Sequence, residues 1–200
     1  MKRAISVAAL ISVLTACSSS SNPLPSPLSS ISTPKAMFDL AIEARSFEDI
    51  GKDVAIYVEA SRILVAEMEM AISMEIYEQR LLLTGIINDA EACQSVRERA
   101  SKIDGIRAFY WHVSCATSED ESTGNLIGIF RRNTLRTFAN LRLMGALDVA
   151  DVNFRVAINP QRQAIILGRA RSEDERQAAL KALSQLYDIE GVIDHIEVRS

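Results

Sequence analysis

The chain has 200 residues, 22 Lys and Arg against 26 Asp and Glu, a formal net charge of −4, and 48% hydrophobic residues. That composition belongs to a globular protein with room for one ordinary domain or two small ones. The acidic balance argues against bulk nucleic-acid binding, so no nucleic-acid partner is expected.

The N-terminus reads as an export signal. Lys2 and Arg3 precede an apolar run from Ala4 to Leu14, and about eleven apolar residues are too few to cross a bilayer, which takes about 20. The run ends in Leu14-Thr15-Ala16-Cys17, which resembles the lipobox of bacterial lipoproteins. The resemblance implies cleavage after residue 16, a diacylglycerol on the Cys17 thiol and a further acyl chain on the new N-terminus. Several chains are needed physically: each buried CH₂ contributes about 0.8 kcal/mol, and one chain alone anchors only reversibly. Ser18, rather than an aspartate, follows the cysteine. By the same resemblance this implies the outer membrane, facing the periplasm. Residues 17–34 are mostly Ser, Pro, Leu and Asn, a composition that cannot bury a core and suits a disordered tether.

The rest of the chain carries an internal repeat. Ile72, Met74 and Ile76 alternate in one place, and Val152, Phe154, Val156 and Ile158 in another; period two predicts a strand with one buried face. Polar turns follow, Glu78-Gln79-Arg80 and Asn159-Pro160-Gln161-Arg162. Then come apolar strands closing on glycine, Leu81 to Gly85 and Ala164 to Gly168. Each is a β-hairpin. Four residues beyond each glycine stands a helix-cap candidate, Asp89 or Ser172, the second with Glu175 three residues on as in a capping box. Helices are predicted over about 89–103 and 172–187. Asp104-Gly105-Ile106 and Glu190-Gly191-Val192 then lead into last strands, 106–114 and 192–199. A helix precedes each hairpin: about 47–61, with Ile50, Val54 and Val58 at i, i+4 and i+8, and about 125–145. The predicted domains are 35–116 and 125–200, joined by an acidic linker at 117–124.

Each unit is therefore αββαβ. The glycine closing the second strand and the acidic-Gly-apolar turn before the third make it resemble the BON domain. The residues that carry the match are Leu83-Thr84-Gly85 with Asp104-Gly105-Ile106, and Ile166-Leu167-Gly168 with Glu190-Gly191-Val192. Two such units behind a lipobox resemble the dual BON-domain outer-membrane lipoproteins (DolP-like). The resemblance implies an α+β fold of two tandem BON domains, each a three-stranded mixed sheet with two helices on one face. It also implies phospholipid binding through the first helix of the second domain, and support of envelope integrity. Gly85, Gly105, Gly168 and Gly191 are the expected structural glycines, with Gly85 and Gly168 in backbone conformations that other residues reach poorly.

The residues bear on that expectation directly. Between Asn125 and Leu147 stand Arg131, Arg132, Arg136 and Arg142 with no acidic residue, interleaved with Phe130, Leu135, Phe138 and other apolar side chains. A basic amphipathic helix suits an anionic phospholipid surface, each nearby cation contributing about 1 kcal/mol. Those seven residues, Phe130 through Arg142, are the candidate lipid-binding set. The same Arg and Phe combination would also serve a protein-interaction adaptor gripping an envelope protein, or a chaperone-like factor. An ordinary core helix with solvated arginines is the plainest alternative. Enzyme signals are poor. His112 and His195 fall at matching repeat positions and mark the repeat rather than a metal site. No Cys and His spacing suits zinc, and no cofactor motif is present. Cys93 and Cys115 could pair in an oxidising compartment, but helix and strand rise at different rates from their shared turn, which makes a direct bond awkward. No oligomeric state follows from the sequence.

Overall fold

The computed structural model describes residues 43–67 and 71–199. Cys17, the expected export signal and the tether lie outside the described residues. The elements run α1 (Phe47–Ala66), β1 (Ile72–Tyr77), β2 (Arg80–Ile87), α2 (Ala90–Ala100) and β3 (Ala108–Cys115). A short α3 (Ser118–Ser122) follows, then α4 (Ile129–Met144), a 3₁₀ turn (Asp151–Asn153), β4 (Phe154–Ile158), β5 (Gln163–Ala170), α5 (Glu173–Ser184) and β6 (Gly191–Val198). The fold is mixed α+β with two three-stranded sheets, ordered β1-β2-β3 and β4-β5-β6. In each sheet the hairpin partners are antiparallel and the last strand runs parallel to the central one. Two tandem BON-like units result.

Local chemistry explains the elements. Ser46 caps α1 by accepting from the Asp49 amide, and Asp89 caps α2 by accepting from Ala92, each satisfying an orphan helix donor. Ser172 accepts from the Glu175 amide, but the Glu175 carboxylate turns to the amides of Ala150 and Arg171 instead of closing a capping box. The β1–β2 turn puts Glu78 and Gln79 at positive φ, as a two-residue hairpin turn requires. Neither is glycine. The buried Asp53 carboxylate of α1 holds the turn instead, accepting from the Glu78 amide at 3.0 Å and the Gln79 amide at 2.6 Å.

Gly85 and Gly168 occupy the same place in their sheets, opposite Ile72 and Phe154. A Cβ built on Gly85 would lie 2.6 Å from the Ala71 carbonyl oxygen, and one on Gly168 would lie 2.3 Å from that of Asn153. Close approach of the neighbouring backbone therefore requires glycine at both; Gly85 also takes the expected conformation that other residues rarely adopt, φ +157°, whereas Gly168 does not. Gly105 does take a left-handed conformation in open space. Gly191 does not; in the longer turn of the second repeat Asp188 carries the positive φ.

The apolar stripe of α1 is placed differently from the sequence reading. The helix buries Asp53, Ile56, Ala60, Ile63 and Leu64 over the first sheet, leaving Val54 and Val58 exposed. Its inner residues pack with Leu81, Leu83, Ile87, Cys93 and Val96 in one core cluster. The second repeat builds the equivalent core from Leu135, Ala139, Leu143, Val156, Ile166 and Leu183.

A third cluster joins Tyr77 and Leu82 to Ala157, Ile165 and Leu167, flanked by Tyr110 and Ile193. The faces turned away from the helices therefore pack on one another, and the layers run helices, sheet, sheet, helices. Both faces of each central strand are covered. Every residue of β2 is buried, which is what its unbroken Leu81-Leu82-Leu83 run demands, since alternation is needed only where one face meets water.

Cys93 and Cys115 form a disulfide, contrary to the geometric expectation. β3 is parallel to β2, so Cys115 returns to the sheet end where α2 begins, in register with Ile87. The loop between α2 and β3 absorbs the difference in rise.

Candidate functional site

The inner side of α4 is formed by Arg132, Leu135, Ala139 and Leu143, at helical spacing over the second sheet. The outer side carries Phe130, Phe138, Leu141 and Met144, all exposed, with Phe130 at 87%. At 100° per residue these four fall within one broad stripe of the helix. Beside it Arg131, Leu135, Phe138, Leu141 and Arg142 line a groove of about 470 Å³ whose far wall is Leu186 and Tyr187, at the end of α5. Tyr187 and Leu147, 88% and 86% exposed, extend the apolar surface. Large apolar side chains gathered on a rim form a patch of the kind that suits an interaction surface.

The arginines divide. Arg131 pairs with Asp188, Nε to carboxylate 3.0 Å. Arg136 donates to Glu75 of the first repeat at 2.9 Å; burial pushes that carboxyl upward in pKa while Arg136 opposes the shift. Arg132 is buried at 2% exposure and donates to the Ala71 carbonyl at 2.7 Å. It tethers the two repeats, and burial lowers its pKa. Arg142 has no ion-pair partner among the described residues. Among the described residues, the nominal charge of four thus leaves Arg142 unpaired and Arg131 partly compensated at the groove rim.

Of the seven candidate residues, Phe130, Arg131, Phe138 and Arg142 share the exposed stripe or the groove. Arg136 lies to the side and is engaged across the repeats. Arg132 and Leu135 belong to the interior, Leu135 only flooring the groove, and neither offers a side chain to a bilayer. The sequence offers Arg132 as a phosphate-contacting cation, yet its i, i+3, i+7 spacing with Leu135 and Ala139 puts it on the buried inner face. Tyr187 carries no sequence signal for the site, because it lies just beyond the end of α5, where helix periodicity says nothing of a groove.

The sheet-to-sheet interface carries a second polar group. His112 and His195 sit in equivalent register, opposite Thr84 and Leu167, and their Nε2 atoms meet at 3.0 Å. Residues at matching positions meet when two like units pack back to back. The His195 ring stacks on Tyr110 at 3.8 Å. Burial, with the neighbouring His112, lowers the His195 pKa to about 4, and burial lowers that of His112. Both rings are neutral at pH 7, so one can donate to the other. Arg80, buried, donates to the carbonyls of His195 at 2.8 Å and Gly168 at 2.7 Å. No cluster of three or more metal-ligating side chains occurs among the described residues. No described helix is long and apolar enough to cross a membrane.

A BON domain is found at residues 141–200. The match opens in the last turn of α4 and covers β4 to β6; most of α4 and the first repeat lie outside it. A BON domain points to a phospholipid- or membrane-associated envelope function. No curated protein matches the chain. Several solved structures align weakly, two of CdsD among them. One is CdsD, a structural protein of the type III secretion system of Chlamydia trachomatis, at TM-score 0.30 and 8% identity, covering 72% of this chain and 92% of that one. The other is the CdsD C-terminal domain, at 0.29 and 8%, covering 72% and 96%.

Proposed function

We propose that the chain is a non-enzymatic envelope lipoprotein, held through an acylated Cys17 at the outer membrane on its periplasmic side. In this reading the second BON-like unit binds anionic phospholipid and so supports envelope integrity. The observation that carries the reading is the apolar stripe Phe130, Phe138, Leu141 and Met144 beside a groove rimmed by Arg131 and Arg142. Rings and aliphatic chains enter the acyl boundary, and the guanidiniums meet phosphate.

The charge pairing shifts the balance of forces. One free cation supplies about 1 kcal/mol at an anionic surface, whereas each large apolar side chain fully withdrawn from water contributes about 1.5–3 kcal/mol. Apolar insertion dominates, and Arg142 supplies the preference for anionic lipid. The test is flotation of the compact unit Phe38–Ser200 with neutral or anionic vesicles. Wild type is expected to float, more with anionic lipid, and to keep most of that binding when salt is raised. Phe130→Glu/Phe138→Glu is expected to stay behind with an unchanged melting temperature. Equal flotation of this variant overturns the assignment of the surface.

A further inference from the structure

The outer side of α1 has no partner among the described residues, although it carries several large apolar side chains. Phe47 is 70% exposed and Val65 67%, and Val54, Val58 and Tyr57 are also exposed. Phe47, Gly51, Val54, Val58, Ser61 and Val65 follow one another at spacings of four and three. At 100° per residue all six lie within about 40° of one line along the helix. That is the narrow two-position seam of a coiled coil, rather than the broader stripe with which a helix covers a sheet. The helix thus has two apolar faces: one built on Ile56, Ala60 and Ile63 for its own core, and a separate seam facing outward.

We infer that this seam is a self-association surface on which a second copy of the chain docks antiparallel. The sequence is self-complementary in that direction. When position 56 of one helix meets position 56 of the other, Phe47 lies against Val65, Gly51 against Ser61, and Val54 against Val58, each layer occurring twice. Large meets medium at the ends and small meets small between, so the helices approach evenly. One flank of the seam then carries Glu48 near Arg62 of the second copy, again twice. Those side chains are 77% and 72% exposed and, among the described residues, are held by the local pairs Glu48–Lys52 and Arg62–Glu59, which are weak enough to exchange. Tyr57 meets its own copy on the other flank. A parallel alignment brings Arg62 beside Tyr57 and leaves Glu48 without a cation, so charge selects the antiparallel form. A single helix on a single helix falls at the small end of specific interfaces, at or below about 1,200 Å² in total. The dimer is therefore reversible, dissociating on the order of 10–100 µM.

The compact unit Phe38–Ser200 tests this, since it lacks Cys17 and its remaining cysteines are bonded to each other. Under mild oxidation at about 100 µM, Gly51→Cys/Ser61→Cys is expected to form covalent dimers. Each single variant is not, because like residues lie ten positions out of register, about 15 Å apart along the axis. In sedimentation, wild type passes from monomer to dimer as concentration rises. Val54→Glu/Val58→Glu stays monomeric at least tenfold higher in concentration, with the same melting temperature. A wild type that stays monomeric throughout overturns the inference, as do single cysteines that crosslink as well as the pair. If monomeric wild type floats with vesicles and Val54→Glu/Val58→Glu does not, the seam faces lipid, and self-association is likewise overturned.

Discussion

Replacing Gly168 with alanine adds one methyl group where the backbone leaves no room. The new Cβ would stand 2.3 Å from the Asn153 carbonyl oxygen, 2.8 Å from Phe154 Cδ1 and 3.0 Å from Phe154 Cα. Nonbonded heavy atoms rest at about 3.5–4.0 Å, so the start of β4 must retreat from β5 by about 1 Å. Overpacking of this kind costs about 1–3 kcal/mol. The Gly168 carbonyl is also one of the two that Arg80 holds across the sheets, at 2.7 Å, and weakening a charged hydrogen bond adds a further loss of up to about 1.5–3 kcal/mol. The sum is about 1–6 kcal/mol, which at about 2–4 °C per kcal/mol for a chain of this size lowers the melting temperature by roughly 2–24 °C. Gly191 is the control. Its nearest neighbour to a built Cβ is Gln163 Nε2 at 3.9 Å, so Gly191→Ala is expected within about 2 °C of wild type by calorimetry. A Gly168→Ala protein melting within 2 °C of wild type refutes the close-approach argument, as does a Gly191→Ala protein that falls as far.

Two further outcomes follow from the interior. Reducing the Cys93–Cys115 bond, which spans 22 residues, is expected to lower unfolding free energy by about 3 kcal/mol through the larger entropy of the unfolded chain. Urea titration with and without reductant reads this directly, and coincident curves would exclude it; Cys93→Ala/Cys115→Ala is expected to match the reduced protein. The histidine pair makes stability depend on pH. His195 has a folded pKa of about 4 against about 6.5 in an unfolded chain. Its stabilisation is therefore complete above about pH 6.5 and is lost as pH falls toward 4, where the unfolded state binds a proton that the folded state refuses. The slope stays below about 1.4 kcal/mol per pH unit, the limit for a single proton. His195→Gln is expected to flatten the fall in urea midpoint between pH 7.5 and 5; an unchanged slope contradicts the assignment.

Much of this architecture is written in local patterns. Period-two runs at Ile72–Ile76 and Phe154–Ile158 mark the hairpins, and Asp89 and Ser172 mark helix starts. The unbroken runs Leu81–Leu83 and Ile165–Leu167 already imply sheets covered on both faces, although which surface covers them is a tertiary matter. What stayed hidden depends on long-range geometry. The disulfide needs β3 to run parallel to β2, and the meeting of His112 with His195 needs the two sheets back to back. Arg132 passes for a solvated charge until the Ala71 carbonyl is placed beside it. Val54 and Val58 pass for core because periodicity reports that a helix has an apolar line, not which side of it meets the sheet. The candidate membrane surface was half legible: Phe130, Phe138 and Arg142 from their spacing, Tyr187 only once the end of α5 was seen to close the groove.

The most direct test of the membrane reading is paramagnetic mapping. The unit Phe38–Ser200 would be bound to anionic micelles carrying spin-labelled lipid, and amide signal loss measured residue by residue. The account predicts broadening confined to Phe130–Leu147 and to Leu186 and Tyr187, with α1 and the sheets unaffected. Broadening centred on Phe47–Val65, or none anywhere, would contradict it.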